Sequence, residues 1–520
     1  MRVSTLLLVL LIFLFVLPGC TFNLEKGYCN ILSYSIVDNN GRIGIKLCFD
    51  SSGNVTFHAK DPSGEEVDRV FVPQPSGEVS LNLSSYHTNP IDGIYKISVE
   101  DAYGNTVETF SVKIEKPTVT IDGVDITWWN DGLDLYYMVE ARIHAKNSGS
   151  IPVYFDKATI SIGDTSLEVK TLENCLLPGY GNITLSLCSD SLPYNDYDLF
   201  VTLLDIDDNV IAEGTFQVTP FFSIMSPNEF YGFYKSWKFD GKYYHLRIPL
   251  PKGIYNYCSS LPRPYLEDYS FYAIDPKVQG FVEMLAKELE KIYDGNDMID
   301  FVASFAQNIE YRKEEGEYPK YPIELLHDRY GDCEDKAILT SSILYKLGYD
   351  VSLIRFEDHM AVGVHLDSYP YIDKVYFTDD SGKRYLYLET SNKGWKLGEA
   401  DEKYAHDTNY TIYPVKDKPI LVQYCKPPVR HQIGDEDFID LTSTIINIGS
   451  GSANNVKLVV KIEVDNSEIA IAQSETMYLK EGEGKDVYLK FDTPSFPFSK
   501  LFVIVMNNEK EVARSSFVFL

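Results

Sequence analysis

Val139, Ala141, Ile143 and Ala145 alternate with Glu140, Arg142, His144 and Lys146. This two-residue period predicts a half-buried β-strand with His144 on its solvent face and no ligand role for that histidine. Asn147-Ser148-Gly149 then turns the chain, and Leu177-Pro178-Gly179-Tyr180-Gly181 precedes another strand. Residues from about 28 to 115 show similar short β-type runs. There Tyr95, Ile97 and Val99 share one strand face, and Asp101-Ala102-Tyr103-Gly104-Asn105 makes a turn before the strand near Val107. Residues 421–520 repeat the landmarks of 116–220 in the same order. Asn447-Ile448-Gly449 follows the strand Leu441 to Ile446, and Leu479-Lys480-Glu481-Gly482-Glu483-Gly484 precedes the strand Val487 to Phe491. The two stretches read as copies of one all-β module.

Between them the period changes. Asp275-Pro276 caps a predicted helix whose Val278, Phe281, Val282, Leu285, Leu289 and Ile292 form one apolar stripe. Asn296-Asp297 starts another, carrying Ile299, Val302, Phe305 and Ile309. A third opens at Gly331-Asp332-Cys333-Glu334-Asp335-Lys336-Ala337, continues through Ile338 to Leu347, and stops at Gly348. Asp332 is placed to cap it, with Asp335 reaching back. Strands follow around Met360 to Val364 and Tyr385 to Leu388, joined through a turn at Asp379-Asp380-Ser381-Gly382. Helices first and an antiparallel sheet after predict an α+β domain. The aromatic-rich stretch from Phe221 to Tyr272 is expected to pack against it.

Cys333 in a first helical turn faces the positive end of the helix dipole and unpaired backbone N–H groups, both of which favour thiolate. Asp332, Glu334 and Asp335 oppose this, since negative charge beside a thiol raises its pKa. Cysteine, then His359, then Glu389 is the order needed for a nucleophile, its base and the group that orients the base. Two rivals stand nearby. His365 is six residues along the strand from His359, roughly 20 Å away at strand rise. Asp367 lies beyond His359 on the same strand, whereas Glu389 on the next strand can sit across from it. The Cys333 backbone N–H is one oxyanion donor, and Gln307, Tyr311 and Tyr318 are open choices for a second. No metal-ligand spacing and no cofactor motif occurs, so a site without either is expected.

Composition sets the surroundings. A chain of 520 residues exceeds one hydrophobic core, and 44% hydrophobic with 13% aromatic residues argues for folded domains. The formal charge of −29 disfavours a nucleic-acid partner. Arg2 precedes an apolar run from Leu6 to Leu17, too short to span a membrane but suited to a secretory signal. An ordinary signal peptide, an uncleaved anchor and a lipid-anchored form all place the body of the protein outside the membrane. Sequons at Asn54, Asn82, Asn182 and Asn409 are compatible with that location. With Cys20 and Cys333 set aside, Cys29, Cys48, Cys175, Cys188, Cys258 and Cys425 form an even set in an oxidising compartment. Six cysteines allow fifteen pairings; the simplest choice joins the local pairs Cys29–Cys48 and Cys175–Cys188, with Cys258–Cys425 as the third expected bridge.

Phe301-Val302 to Tyr311, Tyr318-Pro319-Lys320-Tyr321-Pro322, the Gly331–Ala337 motif, His359 with Ala361-Val362-Gly363-Val364, and Glu389-Thr390 together resemble the transglutaminase-like superfamily, the papain-related thiol fold. The resemblance is nearest to prokaryotic cell-surface members. It implies that Cys333, His359 and Glu389 act as a catalytic triad on peptide or isopeptide amide bonds. Hydrolysis is the expected outcome; protein cross-linking and a non-catalytic adhesin or scaffold are the alternatives. Leu17-Pro18-Gly19-Cys20 resembles a lipobox, which implies a lipid on Cys20, a membrane-anchored extracellular protein and a surface protein or peptide as substrate. Residues 20–115 resemble an immunoglobulin-like β-sandwich, and 116–220 and 421–520 the adhesion-related β-sandwiches of surface proteins. The expected organisation is a signal peptide at 1–19, these three β-sandwiches, and a thiol domain at 221–420.

Overall fold

The computed structural model describes residues 27–518 apart from 131–134, 222–228, 262, 264–267, 314–315, 368–372, 434–435, 465–466 and 496. Cys20 and the expected signal peptide lie outside the described residues. No helix among the described residues is long and apolar enough to cross a membrane. The chain is a multidomain, sheet-rich protein in which one α+β domain accompanies β-sandwiches.

Packing divides it into two units. The first comprises residues 27–114 except 38–43 and 84–90. Its strands form one sheet from Cys29–Asp38, Ile43–Ser51 and Ser76–Asn82, and another from Glu66–Val72, Val55–Lys60, Gly93–Asp101 and Thr106–Ile114. Phe49 of one sheet meets Phe57 of the other edge to face at 5.0 Å. Tyr95, Ile97 and Val99 are buried on one face, as their alternation predicts.

The second unit holds the remainder. In it, Leu135–Asn147 pairs with Val119–Asn130 and Gly179–Ser186, while Lys157–Ile162 lies between Thr165–Lys170 and Tyr197–Leu204. Ala141 and Ile143 of one sheet share a core with Ile160 and Val201 of the other. Residues 421–518 repeat the plan. Glu436–Asn447 pairs with Leu421–Cys425 and Gly484–Asp492, and Ala453–Val464 lies between Ser467–Gln473 and Lys500–Asn507. The equivalence reaches single bonds. Buried Asn147 donates to the Ile151 and Leu176 carbonyls and accepts from the Gly149 N–H. Buried Asn447 donates to the Gly451 and Leu479 carbonyls and accepts from the Gly449 N–H.

The thiol domain opens with an antiparallel hairpin of β1 (Phe230–Phe239) and β2 (Lys242–Pro251). Helices follow: α1 (Lys252–Ser260), α2 (Gln279–Ile292), α3 (Met298–Gln307), α4 (Pro322–Asp328) and α5 (Cys333–Lys346). The sheet contains β3 (Asp350–Arg355), β4 (Met360–His365), β5 (Tyr376–Thr378), β6 (Arg384–Leu388) and β7 (Thr411–Pro414), ordered β5-β6-β4-β3-β7 and antiparallel throughout. The aromatic hairpin packs as expected: Phe233, Trp237 and Phe239 enter the domain core, and the Trp237 indole N–H donates to Ser304 Oγ at 3.1 Å.

Helix α5 differs from a surface helix with one apolar stripe, because every residue from Asp335 to Leu344 is buried. It runs between the other helices and the sheet. Its polar residues are accommodated locally: Thr340, Ser341 and Ser342 donate back to the Lys336 and Ile338 carbonyls of the preceding turn.

The expected disulfides are not formed, and all seven described cysteines are free thiols. Cys188 and Cys258 are drawn into the thiol-domain core. Cys175 instead sits opposite Tyr154 in a two-stranded ladder. Cys425 turns its sulfur toward the Lys426 and Thr442 carbonyls. Buried Cys29 and half-exposed Cys48 lie on neighbouring strands and remain unjoined, with Cys48 against Glu78 at 3.7 Å. An even count satisfies arithmetic, but a bridge also needs Cβ atoms about 4 Å apart and correctly aimed.

Candidate active site

Cys333 is the first residue of α5. Gly331 is needed for the approach to it, since a Cβ there would meet Asp335 Oδ2 at 2.5 Å and Leu325 at 2.6 Å. Asp335 reaches back as expected, accepting from the Asp332 N–H at 3.4 Å, and also pins the incoming segment by accepting from the Lys320 N–H at 2.7 Å. The helix start is therefore held from both sides.

The sulfur lies 3.2 Å from Glu334 Oε2 and accepts a hydrogen bond from the Met360 backbone N–H. Burial pushes the thiol well above its ordinary value, and the Glu334 charge and hydrogen bond push it further. The Met360 N–H acts in the opposite sense.

His359 and Glu389 stand just beyond the ends of β4 and β6 rather than within them. The register Val362↔Leu388 brings those ends together. His359 Nε2 donates to Glu389 Oε2 at 3.2 Å, which leaves Nδ1 as the nitrogen available to a thiol. Glu389 is 3% exposed. Burial alone would raise its pKa. Hydrogen bonds from His359, the Ser391 N–H and the Tyr387 hydroxyl more than offset this and hold it at about 2. The Tyr387 and Ser391 bonds measure 2.8 and 2.7 Å. Tyr404 stacks on the imidazole at 4.6 Å between ring centroids.

The rivals lie elsewhere. His365, at the far end of β4, donates to the Arg384 carbonyl and meets Asp367 at 3.2 Å. The three candidates for a second oxyanion donor are separated by their bonding. The Gln307 amide donates to the Glu389 and Trp395 carbonyls, and its oxygen accepts from the Gly394 N–H. It is a clamp on the loop that follows β6. Tyr318 is engaged by Glu324 and Arg263. Tyr311 makes no hydroxyl hydrogen bond among the described residues. Partial burial, with Cys333, Asp332 and Glu334 nearby, pushes it up to about 12, so it stays protonated.

Tyr387, Tyr404 and Met360 escape sequence reasoning because their roles depend on cross-strand register and a distant loop. No group of residues that could hold a metal ion occurs among the described residues.

Residues 281–391 match the family model of the transglutaminase-like domain, a span that includes Cys333, His359 and Glu389. Similar solved structures include tandem repeats from the extending region of a large adhesion protein, at 9% identity over 95% of this chain and 98% of that one, with a TM-score of 0.18. Red sea bream transglutaminase aligns at 12% identity over 71% and 78%, with a TM-score of 0.14. An exo-chitosanase from Amycolatopsis orientalis aligns at 9% over 94% and 93%, with a TM-score of 0.16. Scores this low carry no weight for fold or activity. A search of curated proteins found no match. On the family match, this sheet-rich chain carries a transglutaminase-like domain, and its helix-borne thiol lies within that domain.

Proposed function

We propose that the chain is an extracellular thiol enzyme that hydrolyses peptide or isopeptide amide bonds, anchored to the membrane by a lipid on Cys20. The observation that carries the enzymatic reading is the buried His359–Glu389 hydrogen bond beside a cysteine at a helix start. In the proposed reaction the Cys333 sulfur bonds to the amide carbon as its proton passes to His359. The tetrahedral adduct then breaks its C–N bond, and His359 returns the proton to the departing amine. Water attacks the resulting thioester, again giving a proton to His359, and the acid leaves as the thiol is restored. Glu389 orients the imidazole and stabilises its charged form. The Cys333 N–H and the Tyr311 hydroxyl are the proposed oxyanion donors.

The contact between Cys333 and Glu334 favours a second reading, a non-catalytic surface protein, because it disfavours the thiolate. Amine release from a peptide-amide library, read beside alkylation of Cys333, separates the two. Turnover that disappears in Cys333→Ala supports the enzyme; no release from any amide, with alkylation no faster than a model thiol, overturns it. Mass spectrometry of the membrane-bound N-terminal peptide tests the lipid on Cys20.

A further inference from the structure

A cleft of about 580 Å³ lies beside the candidate site, and Lys235, Tyr311, Arg329, Ser391 and Lys393 contribute to its walls. It is contiguous with the triad: the Ser391 N–H bonds Glu389, and Tyr311 faces the charges around Cys333. Buried Lys336, one turn along α5 from Cys333, donates its ammonium protons to the Ile309 and Ser391 carbonyls of the same wall.

The charge here runs against the composition. The chain has 76 acidic residues against 47 basic ones. Several cations elsewhere in the domain are paired, as Arg263 with Glu324, Lys287 with Glu283 and Lys320 with Asp328. Lys235, Arg329, Lys336 and Lys393 form no ion pair among the described residues. Among the described residues Glu310 is the one carboxylate in the cleft wall, and it is bonded to Arg312 at 2.9 Å. Arg329 is held in place by the left-handed turn that ends α4. Ser391 Oγ is a buried hydroxyl with no hydrogen-bond partner among the described residues. The crowding is felt: burial, Lys235 and Lys393 push Lys336 down to about 8, and burial, Lys393 and Arg329 push Lys235 down. Glu310 opposes this at Lys235 and Glu389 at Lys336, but the repulsion between like charges prevails, and an anion entering the cleft would relieve it.

We propose that this cleft seats a carboxylate of the acyl-donor peptide, making the enzyme selective for acidic sequences next to the scissile amide. The proposal rests on the acyl-transfer reading for the word donor, but the anion site itself can be tested without turnover. Lysine ammonium groups, a guanidinium and a hydroxyl supply donors whose strongest partner is a negative group, and the cleft adjoins the site where the amide would lie.

The test uses the full chain carrying Cys333→Ala and a fluorescent pentapeptide with glutamates flanking a glutamine. Its partner peptide has glutamines in place of the glutamates. The acidic peptide should bind at least about tenfold more tightly, as expected for a charge-assisted hydrogen bond. Adding Lys235→Gln with Lys393→Gln should bring the ratio close to one. Equal binding of the two peptides, or a preference that survives the double substitution, overturns the proposal. Inorganic phosphate binding more tightly than the acidic peptide would overturn the peptide assignment. An inactive wild type would sink the acyl-transfer reading and leave the binding result standing. An active wild type without charge preference would sink the cleft proposal alone.

Discussion

His359 Nε2 and Glu389 Oε2 lie 3.2 Å apart, each just past the end of a different β-strand, and both side chains are buried. This relation ranks the variants. Cys333→Ala should abolish amide turnover and His359→Ala should be nearly as severe. Glu389→Gln can still hold the ring but not its charge, so kcat should fall by about 10²–10⁴-fold with residual activity. Asp367→Asn and His365→Ala should stay close to wild type. Amine release by folded variants measures all five.

Glu389 also predicts an acid response. Its folded pKa is depressed from 4.5 to about 2. The stabilisation is therefore fully present above pH 4.5 and is lost as pH falls toward 2. The difference corresponds to about 3 kcal/mol. Hydrogen exchange of the α5 amides should show this loss in the wild type, and the loss over the same pH window should be smaller in Glu389→Gln.

Glu334 raises the Cys333 pKa by charge and by hydrogen bond. Glu334→Gln should therefore lower it, enlarge the thiolate fraction and speed alkylation at neutral pH by about tenfold. The rate of iodoacetamide labelling against pH decides this; an unchanged profile would remove Glu334 from the account.

Gln307→Leu should strip the Glu389 and Trp395 carbonyls and the Gly394 N–H of their partner. Leaving these groups unpaired should cost about 2–3 kcal/mol. Activity should fall as well, since the loop after Glu389 loses its clamp. Urea unfolding and amine release measure the two effects.

Asn447→Ala and Asn147→Ala should behave alike. Each removes a buried amide that ties a strand end to a carbonyl four residues on and to a distant one, at about 2–3 kcal/mol to its own β-sandwich. Thermal unfolding of the two variants should show similar losses, with thiol labelling unaffected.

Periodicity sufficed wherever a residue's neighbours along the chain determine its environment. The alternation at Val139 to Lys146, the recurrence of Asn147-Ser148-Gly149 as Asn447-Ile448-Gly449, and the helix opening at Cys333 are all of this local kind. So is the order of Cys333, His359 and Glu389. What depended on packing between distant segments was not legible. Burial of α5 on every side follows from helices and a sheet closing around it, and its hydroxyls disguise that in the sequence. The Tyr387 bond to Glu389, the Tyr404 stack on His359 and the engagement of Gln307 away from the thiol arise only once β6 and later loops reach the site. The disulfide arithmetic failed for the same reason, because Cys188 joins the core of a different domain from Cys175. The cationic cleft gathers Lys235, Arg329, Lys336 and Lys393 from four separate stretches of an acidic chain. Net charge is a sum along the sequence, whereas a local field depends on which side chains the fold brings together.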